Sequence, residues 1–302
     1  MKSAVLDLGT NTFHLLAVNI QPDGSMKMLE KKQYVVKLGE GTINSGIISE
    51  RAFERGILAF AAMSHSCTQL GIPMHKVSAF ATSGIRSASN GQAFIDTVFV
   101  YTGVRIRIIT GDEEAAYIFE GVKQTVAIPE NYLVMDIGGG SVEFIIGRGG
   151  DMLWRGSFML GAARLRDKFH QSEPINPNDT LALENHLAEA LSPLQEALKI
   201  HPCKILVGAA GSFETLLLLS KNRFGENLSM ELDIPQYKNI HAALLDSTPL
   251  QRMAMPGIIS FRIEMIVVAS ILVNYVMNNC GINQLIASKY SLKEGVLGRV
   301  TN

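Results

Sequence analysis

Cysteine is scarce. Only Cys67, Cys203 and Cys280 occur in 302 residues, far apart and in neither a disulfide framework nor a zinc spacing, so reduced thiols in the cytoplasm are expected. Charge of one sign is lacking as well: 27 Lys+Arg against 28 Asp+Glu leave a formal net charge of -1. With no basic excess to draw the chain onto nucleic acid or a membrane surface, any anion site has to be local. The seven histidines, His14, His65, His75, His170, His186, His201 and His241, show no ligand spacing, and the aromatic residues form no base-stacking pattern. Long hydrophobic runs are missing too. The longest, residues 265–277, is too short to span a bilayer and is expected to be a buried helix, and "MKSAVLDLGTNTFHLL" has no signal-peptide h-region or cleavage site.

What is present is ample apolar material, 47% of residues, in a chain longer than one core usually fills. Two domains are expected, over residues 1–124 and 125–302. Residues 4–7 and 13–20 read as strands around a "GTN" turn, and "KMLEKKQYVVKLG" supplies a third after Pro22-Asp23-Gly24. Ser49-Glu50 opens a segment with helical apolar spacing. "KVSAFATSG", a helix from about residue 90, "VRIRIIT" and a helix from Asp112 then complete the order βββαβαβα. From Tyr132 that order begins again, with "YLVMDIGG", "SVEFIIGRGG", "DMLWRGSFML", a helix over 160–169, a long helix over 179–200, and "CKILVGAAG" leading into another helix.

The two halves share a motif. Laying "DLGTNTFHLL" over "DIGGGSVEFI" pairs Asp7 with Asp136, Gly9 with Gly138 and Thr12 with Ser141, each in a turn between apolar strands. Two such halves facing each other create a cleft with both turns pointing into it. Gly138, Gly139 and Gly140 are costly inside a ladder, so something there needs bare backbone.

Turns of this kind expose successive N–H groups that make a concave anion site, so Thr10, Asn11 and Thr12 and Gly138, Gly139, Gly140 and Ser141 are candidate phosphate cradles. Asp7 and Asp136 are suited to hold Mg²⁺ through a carboxylate and waters, leaving the metal to meet the phosphate. "VGAAGSFETL" is a further strand, small-residue turn and helix, in which Gly208, Gly211 and Ser212 are candidates for additional phosphates or a nucleotide.

Together, "AVLDLGTNTFHLLAV", "ATSGIRSASN", "GDEEAAYIFEGV", "VMDIGGGSVEFIIG" and "SKYSLKEGVL" resemble the exopolyphosphatase/guanosine pentaphosphate phosphohydrolase family, over nearly the whole chain. The resemblance implies an α/β fold of two ribonuclease H-like (actin-like ATPase) domains, each with a mixed five-stranded sheet. It implies an active site in the interdomain cleft and a last helix, about 290–302, packing back on the first domain. It assigns the water-activating base to Glu114, with Glu113 ranked second. It gives Glu143 a role toward Mg²⁺ or the lytic water, facing Glu114 across the cleft, and Arg86 a role on the terminal phosphate, with Arg262 a second arginine on a less distinctive match. Ala209 and Ala210 depart from the family's richer glycine pattern, and Lys289 and Lys293 stand where an aspartate and an arginine are common, so the contacts credited to those positions are not carried over.

The expected activity is Mg²⁺-assisted release of orthophosphate from inorganic polyphosphate, with guanosine pentaphosphate as the alternative substrate. Longer relatives carry a further helical domain, whereas this chain ends at Asn302 with near-neutral charge, which makes short substrates the expectation. A cytoplasmic homodimer is expected. Two rivals remain: a kinase of the same superfold, for which no sugar pocket is evident, and a nucleotide sensor without turnover, for which the two glutamates are superfluous.

Overall fold

The computed structural model describes residues 1–301 and builds two mixed sheets from the repeated order. The first half comprises β1 (Lys2–Leu8), β2 (Thr12–Ile20), β3 (Met26–Val35), α1 (Glu50–Gln69), β4 (Val77–Ala81), α2 (Ser83–Arg86), α3 (Gly91–Thr102), β5 (Ile106–Ile108) and α4 (Gly111–Val122). Its sheet order is β3-β2-β1-β4-β5, with β4 and β5 parallel to β1.

The second half opens with β6 (Asn131–Ile137), β7 (Val142–Arg148), β8 (Asp151–Phe158), α5 (Ala162–Phe169), α6 (Pro177–Ala190) and α7 (Ser192–Ile200). It continues through β9 (Ile205–Ala209), α8 (Ala210–Leu219), β10 (Ser229–Leu232), α9 (Ile234–Leu245), α10 (Pro249–Ala254), α11 (Ile266–Asn279), β11 (Gln284–Ser288) and α12 (Leu292–Thr301). The order β8-β7-β6-β9-β11 copies the first sheet.

Two expectations are corrected. The second sheet has six strands, because the short β10 adds antiparallel to the edge of β11. The helix expected over 179–200 is two helices meeting at Leu191. Pro193 lacks an N–H and its ring collides with the carbonyl four residues back, so the helix ends and a new one starts with proline in its first turn.

Strand alternation builds the cores. In β1, Ala4, Leu6 and Leu8 face α1 and α3 and pack with Phe13, Phe60 and Phe94, while Val5 faces the opposite side. That opposite side is also covered, by α4 and α12, so β1 and β6 read as continuous apolar runs rather than alternating ones. Ala115, Ile118, Phe119 and Val122 of α4 and Leu292, Val296 and Leu297 of α12 share one core with Val5, Leu16, Val134 and Ile145, joining the two sheets. At the crossing of α4 and α12 glycines face backbone: a Cβ on Gly295 would collide with the Tyr117 carbonyl, and one on Gly121 with that of Ser291. The pair therefore lies close enough to bring the N-termini of both helices to the space between the sheets. Helix α11, the apolar run of the sequence, is buried in the second half. Among the described residues, no helix is long and apolar enough to cross a membrane.

Candidate active site

The motif repeat is a structural repeat. Asp7 pairs with His14 in the β1–β2 register, and Asp136 with Glu143 in the β6–β7 register. In the turns, the Gly9 N–H donates to Thr12 O at 3.1 Å and the Gly138 N–H to Ser141 O at 3.0 Å. Both turns line one cleft of about 400 Å³.

In each turn the carbonyls are used up on the outside. Thr10 O accepts from Leu38 N–H, and Asn11 O accepts from both Val36 and Lys37. Gly138 O and Gly139 O accept from the first amides of α5, Ala162 and Ala163, each at 2.9 Å. A planar trans peptide sets its N–H opposite its C=O, so an outward carbonyl turns the next amide inward. The amides of Asn11, Gly139, Gly140 and Ser141 have no acceptor among the described residues, which is the donor array an anion needs.

The glycines have a second reason. A Cβ on Gly139 would lie 2.5 Å from Asn11 Nδ2, and one on Gly140 2.7 Å from both Ser83 Oγ and Thr10 Oγ1. Bare backbone lets the two turns touch, so the cradles form one floor.

Glu114 enters this floor from the first turn of α4. Thr110 caps the helix by accepting from Glu113 N–H while the Glu113 carboxylate accepts from Thr110 N–H, a reciprocal box that turns Glu113 outward to Arg107, 2.7 Å away. Glu113 is thus the helix cap, and Glu114, one residue on, points into the cleft. Arg86, from the end of α2, does not line the cleft wall. Its Nη1 donates to Ile109 O and to Glu114, each at 2.8 Å. Burial, reinforced by the charge of Glu143, holds the Glu114 carboxyl well above the usual carboxylate range, with Arg86 pulling the other way.

Glu143 is 1% exposed and accepts from Ser141 Oγ and Ser157 Oγ, both at 2.7 Å. Burial outweighs those bonds and pushes it up to about 7. In the first copy His14 holds that position with Thr12 Oγ1 at 2.9 Å. Burial, then the cations Lys293, Arg262 and Lys31, keep its imidazole neutral.

Asp7 of β1 and Asp136 of β6 both line the cleft and each feels the charge of Lys293. Asp7 is pushed up to about 6 by burial first, with Lys293 opposing and Asp136 and Glu294 adding to the rise. Asp136 is raised by burial, although it accepts a very short hydrogen bond from Ser291. The N-terminus of α12 thus brings Ser291, Lys293 and Glu294 to the acids. Burial would strip the Lys293 ammonium, but Glu294, Asp7 and Asp136 together overcome it and hold it charged. Lys293, set aside on sequence grounds, is in the site. "SLKE" had the spacing of a capping box, and Ser291 N–H does donate to Glu294 at 3.1 Å while its hydroxyl serves Asp136 instead.

At the far end, Gly211 and Ser212 line the cleft, and Ala210 takes a left-handed φ of 62° that glycine would adopt without strain. Arg262 does not pair with Glu264. It donates to Gly211 O and, at 2.7 Å, to Thr215 Oγ1, meets Glu214 at 3.4 Å, and lies over the Phe261 ring. Gly208 is not brought to the cleft: it sits inside β9, where a Cβ would collide with the Phe213 ring. Lys289 lines the cleft and donates to Gly225 O at 2.9 Å.

The acids suit a hard cation. Mg²⁺ takes one or two carboxylates and completes its shell with water and phosphate oxygens. Asp7 accepts no hydrogen bond among the described residues, so its oxygens are free for such a role. Among the described residues no three His, Cys, Asp or Glu side chains form a ready cage, so the donor set fits an ion held largely by water and substrate rather than by protein alone.

Comparison with known proteins agrees with this geometry. The model of the Ppx/GppA phosphatase family matches residues 17–301, starting after the first turn. An exopolyphosphatase from Cytophaga hutchinsonii is similar at 36% identity, over 100% of this chain and 98% of that one, with a TM-score of 0.95. The PPX-GPPA enzyme of Aquifex aeolicus shares the fold at 23% identity, over 99% of each chain, with a TM-score of 0.81. With the match spanning nearly all of a two-sheet, actin-like α/β chain, the protein belongs to the Ppx/GppA phosphatase family and is a hydrolase of phosphoanhydride bonds.

Proposed function

We propose that the protein is an exopolyphosphatase in which Glu114 activates water against the terminal phosphorus of inorganic polyphosphate. The observation that carries this reading is a buried carboxyl held far above its ordinary range, beside two cradles of inward amides. Burial and the charge of Glu143 raise the Glu114 carboxyl above the usual carboxylate range, which makes it a stronger proton acceptor. The amides of Asn11, Gly139, Gly140 and Ser141 hold the terminal phosphate oxygens, and cations from both halves, Lys31, Lys289, Lys293 and Arg262, offset the charge of the following phosphates. Water gives its proton to the Glu114 carboxylate as its oxygen bonds to phosphorus. The bridging P–O bond breaks, its electron pair stays with the shortened chain, and orthophosphate is released.

Asp7, Asp136 and Glu143 are the proposed Mg²⁺ residues. Once bound, the ion would neutralise the phosphate charge developing at the reacting group. Ser141 and Ser157 fix the Glu143 carboxylate, while Arg86 orients Glu114. A formal net charge of -1 and a cleft of about 400 Å³ suit short oligophosphates.

One observation favours guanosine pentaphosphate as a second reading. Phe224 and Phe261 line the cleft, Phe261 with the Arg262 guanidinium over its ring, giving apolar rings against which a base could pack. The deciding test is orthophosphate release with Mg²⁺ from tripolyphosphate, long-chain polyphosphate, guanosine pentaphosphate and ATP. Turnover of tripolyphosphate above the rest is expected. Exclusive turnover of guanosine pentaphosphate would reverse the order, and release from none of them would defeat the reading.

A further inference from the structure

One arginine outside the cleft touches the second cradle and two segments that support the rest of the floor. Arg164, in the first turn of α5, donates from Nε to Gly140 O at 2.9 Å, from Nη1 to Ile43 O at 2.7 Å and from Nη2 to Ser87 Oγ at 2.9 Å. Ile43 belongs to the connector between β3 and α1, whose start holds the carbonyls of Thr10 and Asn11 through Leu38, Val36 and Lys37. Asn44 in the same connector donates to Asp167 of α5 at 2.8 Å. Ser87 follows Arg86 directly. The guanidinium therefore joins the second cradle, the segment that sets the first, and the residue next to the arginine that holds Glu114.

We infer that Arg164 is a positioning residue that turns the Gly140–Ser141 peptide so that the Ser141 N–H faces the substrate phosphate. The carbonyls of Gly138 and Gly139 are already drawn outward by α5 amides. Gly140 O has no such amide and is drawn outward by Arg164. A planar peptide makes the two ends inseparable: while the carbonyl is held, the Ser141 amide points in, and once the carbonyl is released nothing fixes that direction from the Gly140 side. A planar fork with separated donors is required, because a lysine ammonium at that site reaches Gly140 O or Ile43 O and not all three partners. The side chain does not line the cleft, so its effect passes through Gly140.

This inference rests on the proposed phosphate-binding role of the turns. The test pairs kinetics with backbone amide resonances during titration with inorganic phosphate, for wild type, Arg164→Lys, Arg164→Met and Ser87→Ala. In wild type, the amides of Gly139, Gly140 and Ser141 shift together. In Arg164→Met, Ser141 ceases to respond while Gly139 still does, and kcat/KM falls roughly tenfold to a hundredfold, as a misplaced donor implies, with Arg164→Lys weaker than wild type in both readouts and less affected than Arg164→Met. Ser87→Ala, which cuts one arm and folds independently of the charge, keeps the Ser141 response and loses no more than about threefold. A Ser141 response retained in Arg164→Met with kcat/KM within twofold of wild type overturns the inference. Wild-type cradle amides that ignore phosphate, with no orthophosphate released from any substrate, bring down the functional reading and this inference with it. Wild-type turnover combined with an unperturbed Arg164→Met defeats only the inference.

Discussion

Arg86 and Glu114 form an ion pair at 2.8 Å beneath the cleft, tying the proposed base to the end of the α2 turn. Arg86 lowers the Glu114 carboxyl against the larger effect of burial. In Arg86→Met the carboxyl loses its counter-charge and binds its proton over a wider range, so the acid limb of the pH profile of kcat/KM moves upward. An acid limb at the same pH in wild type and variant would contradict the coupling.

Glu143 and Asp7 contribute to the pH dependence of stability of the metal-free protein, alongside Glu114 and Asp136, which are raised in the same direction, and His14, which is lowered. Both carboxyls are raised on folding, Glu143 to about 7 and Asp7 to about 6, so the folded state binds protons that the unfolded state has already released. Their contribution is complete below about pH 4 and is lost as pH rises toward 8, by about 3 kcal/mol for Glu143. In denaturant unfolding with EDTA these two acids should therefore add a downward slope to stability from pH 5 to pH 8, against the upward one from the depressed His14. Glu143→Gln should flatten that slope and be the more stable protein at pH 8, whereas parallel curves for the two would refute the assignment.

Lys293 is the fixed cation among Asp7, Asp136 and Glu294. Lys293→Met removes it, deepening the negative potential that a divalent ion meets. The unfolding midpoint of the variant should be lower than wild type without metal and should rise further when Mg²⁺ is added. An equal Mg²⁺ response in both proteins would place the ion elsewhere.

Two glycines test the close contacts. Gly140→Ala puts a methyl group 2.7 Å from Ser83 Oγ and Thr10 Oγ1, and should separate the cradles and cost at least about tenfold in kcat/KM with modest loss of stability. Gly295→Ala drives a methyl group into the Tyr117 carbonyl at the α4–α12 crossing, and should cost about 2–4 kcal/mol in unfolding free energy. Little change in either would mean that the helices or turns have room to part.

The paired turns were legible because an acid, a glycine and a hydroxyl recur at fixed spacing between apolar strands, and the register places Asp136 against Glu143 as it places Asp7 against His14. Thr110 three residues before Glu113 also carried the information that separates the cap from the buried Glu114. Pro193 announced the break between α6 and α7 in the same local way. Ser157, Ser291 and Arg164 were not legible. Each acts on a partner at least 14 residues away, Ser157 on Glu143, Ser291 on Asp136 and Arg164 on Gly140, and only strand pairing and helix packing bring them together. Gly208 misled for the complementary reason: its small size serves the Phe213 ring, a packing need with the same letter as a phosphate turn.

The central claim is that Glu114 is the base. Glu114→Gln keeps the shape of the side chain and its contact with Arg86 while removing the proton acceptor. Single-turnover release of orthophosphate from tripolyphosphate under saturating Mg²⁺ should slow by about a hundredfold or more, with substrate affinity little changed. A variant that releases phosphate at the wild-type rate would contradict the account.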